Sequence, residues 1–391
     1  MKIKKLPLSK FVKINPEGIT HSYPYQVIEY IDISSVGSGK LLEQPKEILL
    51  KDAPSRAKRI VRNKDIILAT VRPNLRSFLF IKNPNDNTVV STGFAVLRIK
   101  ESFDPRYIYY AITDKRFTGY LTNNTKGTSY PAVDSDIVLR GDIPDFDFNR
   151  QKYIGEILSG YDDLIDTNRR RIQLLEKAAR LLFREWFVYF RFPGHEKVKI
   201  VDGVPEGWKK TTLGNIANRI KKNYSINDED LSLVDLARIN SRTLAVTDVG
   251  VASDLETARI IFEIDDILFS SIRLYLHKVV LAPFRGITNT SVFVIRAKNP
   301  IYRAYITLLL FSDYAIQFAN QHSTGTKMPV VKWGSVSKLP ALIPHQTIME
   351  DFQNMVWPML EQIQLAYFQN QKLTKARDLL LPRLMSGEIE V

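Results

Sequence analysis

The sequence contains no cysteine among its 391 residues. Disulfide bonds and thiolate metal sites are therefore excluded. The sequence also has no apolar run close to the roughly 20 residues that a membrane-spanning helix needs. Its basic N-terminus lacks the apolar segment of a signal peptide. From these absences we expect a cytoplasmic protein that does not enter a membrane.

Motifs for catalysis and cofactor binding are missing as well. The five histidines are scattered without the spacing of metal ligands. Residues 37–40 are similar to the end of a phosphate-binding loop, but Ser34 replaces its first glycine and Leu41 replaces the Ser or Thr that holds magnesium. Asp266 fits the turn before a strand, as Asp65 does earlier in the chain. We expect no catalytic residue, metal ion or cofactor in this chain.

Positive charge is in excess. The chain has 55 Lys and Arg against 42 Asp and Glu, which gives a formal net charge of +13. Such an excess favours a polyanionic partner, and nucleic acid is the most common one in a cell. A basic protein without such a partner is the alternative. The length of the chain indicates two or more domains.

Four segments of the chain recur in the same order, at an offset between 198 and 201 residues. Because a period of about 200 residues is too long for a solenoid, the repeat indicates a duplicated domain that is followed by a duplicated helix. The matched segments are 65–72 with 266–273, 126–133 with 324–331, 143–144 with 343–344, and 168–187 with 366–385.

Each copy begins with short β-branched runs that predict strands. A helix follows, because Asp or Asn before a proline is a helix start signal. Asp104 predicts a helix to about residue 121, and Asn299 predicts one to about residue 321. A Gly-Thr-x-x-Pro loop, a last apolar strand and a long helix close each copy.

The two long helices carry apolar stripes at alternating spacings of four and three residues, over more than four heptads each. This pattern is typical of a coiled coil. We expect the helices to pair with each other; packing of each helix on its own domain is the alternative. A pseudo-two-fold axis between the copies makes the pair antiparallel. The predicted interface contains Ile165, Asn168, Ile172, Leu175, Leu182, Trp186, Phe352, Ile363, Asn370, Leu373 and Leu380.

The symmetry also predicts which residues face each other in the helix pair. A buried pair of Asn side chains lowers stability but fixes the alignment of two helices. About 35 helical residues span roughly 50 Å, which is more than one turn of duplex DNA. The predicted partners are Asn168 with Asn370, Leu175 with Ile363, and Trp186 with Phe352.

The sequence thus predicts an α+β fold in which two similar α/β domains are separated by a pair of long antiparallel coiled-coil helices, with a pseudo-two-fold internal repeat. The predicted segments are residues 1–146 for the first domain, 147–191 for the central helix, 192–344 for a linker and the second domain, and 345–391 for the C-terminal helix.

Several short motifs carry a resemblance to a known family. They are Phe-Arg-Glu-Trp-Phe at 183–187, Phe-Pro-Gly at 192–194, Val-Pro-Glu-Gly-Trp at 204–208, Thr-Leu-Gly at 212–214, the segment 266–273 and both Gly-Thr-x-x-Pro loops. In this order and with two copies, the chain resembles the specificity subunits of type I restriction-modification systems over essentially its whole length.

The resemblance implies two target-recognition domains, each of which reads one half of a bipartite, asymmetric site in double-stranded DNA. It implies that the long helices set the distance between the half-sites and dock DNA adenine methyltransferase subunits, and that a restriction and translocase subunit joins them. S-adenosylmethionine, ATP and magnesium would bind those partners. This chain would be the non-catalytic subunit of a system for DNA methylation and phage defence.

Two loops in each copy combine hydrogen-bond donors with Gly or Pro. Arg and Lys bind guanine edges or phosphates, and Asn binds adenine edges. A solvated strand connection is the alternative for each loop. The DNA-binding residues predicted in the first copy are Arg72, Asn74, Arg76, Asn124, Lys126, Gly127, Thr128, Ser129 and Tyr130. Those predicted in the second copy are Arg273, Tyr275, His277, Lys278, Thr324, Gly325, Thr326 and Lys327.

Other functions stay open at this point. A specificity subunit of a methylation-only or phage-defence system without a nuclease would have the same features, because the missing subunit lies in another gene. A bivalent RNA-binding or adaptor protein would bind duplex DNA with weak salt dependence or prefer single strands. A free-standing enzyme would need catalytic motifs that we do not find.

Overall fold

The computed structural model describes residues 3–127, 130–224, 231–246, 248–254, 258–325 and 329–389. In these residues no helix is both long enough and apolar enough to cross a membrane. The chain divides into two compact units. The first unit consists of Met1–Leu164 and Leu373–Val391, and the second is Ile165–Lys372.

The first copy of the repeat begins with strands, continues with three short helices and ends with a long one. In chain order the elements are β1 (Lys5–Pro7), β2 (Val12–Ile14), β3 (Val27–Ile31), β4 (Lys46–Leu49), β5 (Ala57–Ile60), β6 (Ile66–Ala69), β7 (Phe78–Phe80), β8 (Thr88–Ser91), β9 (Phe94–Ile99), α1 (Pro105–Thr113), α2 (Lys115–Asn123), α3 (Ser135–Arg140), β10 (Asp142–Pro144) and α4 (Phe148–Phe187).

The first unit contains two four-stranded sheets and the strand pair β1-β10. One of the sheets has the antiparallel order β2-β9-β6-β7, and the other has the order β4-β3-β8-β5, with β3 and β8 parallel. All four residues of β6 are buried, which agrees with its unbroken apolar run. Helix α1 packs on the first sheet, and its Tyr107 and Ile108 lie in the same core cluster as Ile66.

The second copy repeats this order of elements. Its elements are β11 (Ile200–Val201), β12 (Val204–Pro205), β13 (Lys209–Thr212), α5 (Leu213–Ile216), β14 (Ala217–Ile220), β15 (Arg259–Phe262), β16 (Ile267–Ser270), β17 (Val279–Leu281), β18 (Gly286–Asn289), β19 (Val292–Ala297), α6 (Arg303–Leu310), α7 (Asp313–Gln321), α8 (Trp333–Val336), β20 (Pro340–Ile343) and α9 (Gln346–Met385).

The sheet topology confirms that the chain is duplicated. The sheet β14-β19-β16-β17 has the same order as β2-β9-β6-β7, and the pair β13-β20 corresponds to β1-β10. The copies differ in their other sheet. Where the first copy has four strands, the described residues of the second copy form the pair β15-β18.

The predicted short helices are each interrupted. In the first copy Asp114 has an extended backbone between α1 and α2, and its side chain accepts a hydrogen bond of 2.7 Å from the N–H of Arg116. In the second copy Ser312 accepts one of 3.1 Å from the N–H of Ala315 and begins α7. The prediction of one helix to about residue 121 or 321 was therefore wrong. An Asp or Ser side chain begins a new helix because it satisfies a free backbone donor.

The long helices α4 and α9 have 40 residues each. Both end before the predicted boundaries at 191 and 391. After α4, Phe190 has a left-handed φ of 57°, and a proline follows at 193. After α9, Gly387 has a φ of 68°, which is the conformation that ends many helices. Each compact unit contains part of both helices, so the units do not coincide with the four predicted segments.

In the second unit the two long helices pair as the symmetry predicts. The side-chain amide of Asn168 donates to the side-chain oxygen of Asn370 at 3.1 Å. The rings of Trp186 and Phe352 lie 5.4 Å apart. Because the partner's number falls as the residue number rises, the helices are antiparallel. The structure thus supports the predicted alignment. Asn168 is buried, with 8% of it exposed, and Asn370 is half-buried.

The first unit continues the same alignment with an ion pair that the sequence reading missed. Arg377 of α9 donates to the carboxylate of Asp162 of α4. The hydroxyl of Tyr110 donates to the other oxygen of Asp162 at 2.5 Å. Burial and the Asp162 carboxylate raise the pKa of Tyr110. A charged group is therefore held between α4, α9 and α1 by two donors.

Most of the predicted interface residues lie in the interior. In the second unit Ile165 and Ile363 are buried, and Ile172, Leu175 and Leu182 are half-buried against its core. In the first unit Leu380 is half-buried against the core, and Leu373 is half-buried.

Candidate nucleic-acid interface

The first predicted loop is a short turn between β6 and β7. Arg72 and Arg76 have left-handed φ values of 48° and 55°, and they flank a 3₁₀ turn at Pro73–Leu75. A left-handed backbone costs a residue with a side chain about 1–2 kcal/mol. Two such residues around one turn indicate that surrounding contacts fix the turn. We call residues 72–76 the first left-handed turn.

The second copy contains the same turn between β16 and β17. Arg273 and His277 have φ values of 49° and 50°, and they flank the 3₁₀ turn Leu274–Leu276. We call residues 273–277 the second left-handed turn. The backbone geometry is thus duplicated, although only the arginine at the first position and the leucine at the fourth position are the same in the two turns.

The Gly-Thr-x-x-Pro loop lies against the left-handed turn in the first copy. The backbone N–H of Arg72 donates to the carbonyl of Pro131 at 2.8 Å, and that of Val133 donates to the carbonyl of Thr70 at 2.8 Å. The guanidinium of Arg72 lies 5.3 Å from the ring centroid of Tyr130. The structure therefore joins the two loops that were predicted separately.

The second copy joins its loops in the same way. The N–H of Val331 donates to the carbonyl of Ser271 at 2.9 Å, and Ile272 forms a bridge with Val330. Thr324 and Val330 exchange backbone hydrogen bonds of 2.9 Å, as Lys126 and Ala132 do in the first copy. Each copy thus presents one composite surface.

A glycine occupies the same place in both Gly-Thr-x-x-Pro loops. Gly127 has a φ of 88°, and Gly325 has a φ of 102°. These backbone conformations disfavour an L side chain, so glycine is needed for the shape of the loop. The following residues Thr128, Ser129, Thr326 and Lys327, which were predicted to bind DNA, lie outside the described residues.

Several predicted residues are exposed on these surfaces. In the first copy Arg72, Asn74, Asn124, Lys126 and Gly127 are exposed, as is Tyr130. In the second copy Arg273, Tyr275, Thr324 and Gly325 are exposed. Two of the donors already have partners: the Asn124 amide donates to the carbonyl of Tyr120 at 2.8 Å, and the Lys126 ammonium lies 3.1 Å from Asp134. Both contacts are at the surface, where a competing anion reaches them readily.

Three predicted DNA contacts are corrected by the structure. His277 is only 3% exposed, and its Nε2 lies 2.9 Å from the carbonyl oxygen of Phe311. The ammonium of Lys278 is half-buried and donates to the carbonyl of Leu236 at 2.7 Å. Arg76 is half-buried too and turns its guanidinium toward the helices of its own unit. All three side chains thus bond to groups of the protein itself, and His277 does not face solvent.

One exposed residue of the turn was not selected from the sequence. Leu75 lies at the tip of the first left-handed turn and is 62% exposed, next to Asn74. An exposed apolar side chain among donors suits contact with a thymine methyl group or with a base step. No signal in the sequence separates it from an ordinary core leucine.

Buried carboxylates precede the two strands that lead to the left-handed turns. Asp65 precedes β6, and both of its oxygens accept hydrogen bonds from the guanidinium of Arg98, at 3.0 and 2.9 Å. Asp266 precedes β16 and accepts two bonds of 2.7 Å from Arg296. The interpretation of Asp266 as part of the turn before a strand is therefore confirmed. Each carboxylate is less than 2% exposed, which suits a structural ion pair.

Comparisons with known proteins agree with this duplicated architecture. A model of the type I restriction modification DNA specificity domain matches residues 10–177. The chain is 26% identical to the type I restriction enzyme MjaIX specificity subunit of Methanocaldococcus jannaschii, over 93% of this chain and 84% of that protein. The chain is therefore similar to the specificity subunits of type I restriction-modification systems.

Two further likenesses span nearly the whole chain. The type I restriction enzyme HindI specificity subunit of Haemophilus influenzae is 24% identical over 87% of this chain and 90% of its own length. The crystal structure of a type I restriction-modification S subunit from M. genitalium covers 98% of this chain and 96% of its own, with a TM-score of 0.62 and 15% identity. At this identity the structural likeness concerns the fold. The predicted resemblance to this family and the predicted fold class are thus confirmed.

Proposed function

We propose that this chain reads a split site in duplex DNA as the recognition subunit of a type I restriction-modification complex, with one composite surface for each half-site. The observation that supports this most directly is the duplicated left-handed turn. Each copy joins that turn to a glycine-containing loop and exposes an arginine on it. Arginine is the side chain that most often binds a guanine edge in the major groove. The net charge of +13 favours attraction to the phosphate backbone.

The two half-sites differ in sequence under this proposal. At the tip of the turn the first copy exposes Asn74, and the second exposes Tyr275 at the equivalent position. An asparagine amide matches the hydrogen-bonding edge of adenine, whereas a tyrosine ring contacts bases or sugars through its apolar face. Equivalent backbones with different side chains therefore suit an asymmetric site.

The long helices suit the role of spacer between the half-sites. A helix of 40 residues is about 60 Å long, which exceeds one turn of duplex DNA. We expect an insertion of seven residues at matched positions of α4 and α9 to lengthen the unread gap of the DNA site. An unchanged gap would contradict the spacer role.

The chemistry of the complex belongs to other subunits in this proposal. DNA adenine methyltransferase subunits dock on the long helices and bind S-adenosylmethionine, and a restriction and translocase subunit binds ATP and magnesium. This chain takes no part in bond making or breaking and works in the cytoplasm, where the genome is accessible. The family resemblance is the support for these partners and cofactors.

The test is a map of N6-methyladenine across the genome of the source organism, with and without this gene. We expect a split motif with a fixed gap that loses its methylation when the gene is deleted. A continuous motif would contradict two-part recognition, and methylation that survives the deletion would contradict the role in the complex. The neighbouring genes show whether a nuclease subunit accompanies the methyltransferase.

A further inference from the structure

The last residue of each left-handed turn contacts the end of a helix. In the first copy the guanidinium of Arg76 donates to the carbonyl of Thr113 at 2.8 Å, and Thr113 is the last residue of α1. In the second copy Nε2 of His277 lies 2.9 Å from the carbonyl oxygen of Phe311, the C-cap residue that directly follows α6. Thr113 and Phe311 are equivalent in the repeat. The same contact is thus made by two different side chains.

This contact stabilises both the helix end and the left-handed turn. The last carbonyl groups of a helix have no partner inside the helix, so a side-chain donor satisfies one of them. The left-handed backbone of Arg76 and His277 is unfavourable by itself and needs a contact that holds it. A side chain anchored on the helix supplies that contact.

We propose that Arg76 and His277 are positioning residues for DNA recognition, which hold each left-handed turn on its helix and thereby fix the exposed Arg72 and Arg273. Because the first copy uses arginine and the second uses histidine, binding of the second half-site weakens in mild acid while binding of the first does not. The inference rests on the proposed DNA-reading function. It adds which residues fix the conformation of the turns, and that pH affects binding of the two half-sites differently.

The surroundings of His277 explain the direction of the pH effect. Three charged side chains face it: Asp313, with a carboxylate oxygen 3.4 Å from Nδ1; Arg242, which pairs with Asp313 at 3.3 Å; and Arg180, whose guanidinium lies over the Phe311 ring. Burial lowers the pKa of His277, the two arginines add to this, and the Phe311 carbonyl and Asp313 oppose it. The imidazole is therefore neutral at pH 7, and Nε2–H donates to Phe311.

The sign of the pH dependence follows from that lowered pKa. The folded chain binds a proton on His277 at lower pH than the unfolded chain, whose histidine titrates near 6.5. The stabilising contribution of neutral His277 is complete above about pH 6.5 and decreases as the pH falls through the folded value. Arginine side chains do not titrate between pH 5 and 8, so the first turn has no equivalent change.

The experiment uses the full chain in its complex, with duplexes in which either half-site is scrambled. The variants are Arg76→Ala, His277→Ala and His277→Gln, because a glutamine amide replaces the donor of Nε2 without titrating. We expect His277→Ala to lower the affinity about tenfold for DNA that retains only the second half-site, and Arg76→Ala to do so for the first, which corresponds to about 1.4 kcal/mol each. His277→Gln should restore most of the lost affinity.

The pH profile is the second readout. Between pH 7.5 and 5.5 the wild-type affinity for the second half-site should fall more than that of His277→Gln, and the two proteins should behave alike at the first half-site. This comparison tests the inference even if His277→Ala does not fold. Equal losses at both half-sites, or identical pH profiles, would overturn it.

The outcomes separate this inference from the function on which it rests. If the wild-type complex does not distinguish intact from scrambled half-sites, the proposed function fails. If it distinguishes them and the variants bind as the wild type does, only the positioning role fails.

Discussion

The two copies contain the same left-handed turn, but different side chains hold it in place. The first left-handed turn is held by an arginine that reaches the end of α1 and also donates to Thr118 of α2 at 3.1 Å. The second is held by a buried histidine at the end of α6. The φ values of the equivalent turn residues nevertheless agree to within a few degrees. Backbone shape has been kept in the duplication, while the side chains that support it and those that face solvent have changed.

This difference shows which parts of a recognition domain are free to vary. Asp65 and Asp266, with their arginines, are the same in both copies because a buried carboxylate needs a charged partner. Asn74 and Tyr275 differ because an exposed tip has no packing to satisfy. A duplicated scaffold can therefore read two unlike half-sites.

The largest effect on the free energy of unfolding is expected at Ile154 of α4 and Phe352 of α9, which are equivalent in the repeat. Both are fully buried, and the Phe352 ring lies 4.8 Å from that of Phe187 and 5.4 Å from that of Trp186. Phe352→Ala should lower the free energy of unfolding by about 3–5 kcal/mol, and Ile154→Ala by about 2–5 kcal/mol.

Denaturant unfolding, followed with two probes, measures the loss of stability in Phe352→Ala and in Ile154→Ala. All four tryptophans lie in the second unit, so their fluorescence reports Phe352→Ala, while circular dichroism reports both units. Ile154→Ala should shift the dichroism transition and leave the fluorescence transition in place. Shifts of equal size with both probes in both variants would mean that the units unfold together.

The second-largest effect on stability is expected at the ion pairs of Asp65 and Asp266, which precede β6 and β16. Asp266→Asn should lower the free energy of unfolding by about 3 kcal/mol, because it leaves Arg296 without the carboxylate that accepts two of its hydrogen bonds. Asp65→Asn should cost less, about 2 kcal/mol, since Arg98 also bonds to Glu17. Chemical denaturation of both variants measures the difference. A larger loss for Asp65→Asn would show that Glu17 does not compensate.

The third effect concerns the exposed arginines at the start of the two turns. Arg72→Ala and Arg273→Ala should each weaken binding of one half-site by about 1–3 kcal/mol and relax its sequence preference, if the arginine binds a base edge. A phosphate contact would weaken all sequences about equally. Binding to duplexes with single substitutions in each half-site distinguishes the two cases. Lys115→Ala, an exposed change in α2, serves as the control and should leave sequence preference unchanged.

The smallest effect concerns a position where the long helices differ. Glu176 of α4 is buried and accepts bonds from the Thr243 hydroxyl at 2.6 Å and the Leu244 N–H at 2.7 Å, whereas the equivalent residue of α9 is Thr374. Burial raises the pKa of Glu176 above its usual 4.5 despite these bonds. The folded chain therefore holds this proton to higher pH than the unfolded chain, and stability falls as the pH rises through that window.

Glu176→Gln tests this interpretation. We expect the variant to be more stable than the wild type at pH 7, by less than about 1 kcal/mol, with a difference that disappears below about pH 4.5. Thermal unfolding across this pH range measures it. A wild type that is more stable at neutral pH would show that the hydrogen bonds outweigh the burial of the charge.

Much of the architecture was predictable because local patterns specify it. The apolar stripes predicted two long helices, and the symmetry of the repeat predicted the contact of Asn168 with Asn370. The interruptions at Asp114 and Ser312 were missed although their signal was present, since both are residues that begin helices. The ends of the long helices are set by backbone conformations at Phe190 and Gly387, of which only the glycine is evident in a sequence.

The candidate site was predictable as loops and not as side chains. Arg72 faces solvent while Arg76 turns inward. The left-handed backbone of both residues and the contact of Arg76 with the end of α1, nearly 40 residues away in the chain, decide these directions. His277 was predicted to bind DNA because it lies in one of the loops that carry hydrogen-bond donors. Its burial depends on contact with Phe311, which lies 34 residues away in the chain.

The sequence by itself determined the duplication, the helix pair and the loops that carry donors, because periodicity and repetition are properties of the chain alone. Only the tertiary structure decided which donors face outward. Left-handed turns, helix ends and buried carboxylates meet through contacts between residues far apart in the chain, and the packing of those contacts fixes the direction of each side chain.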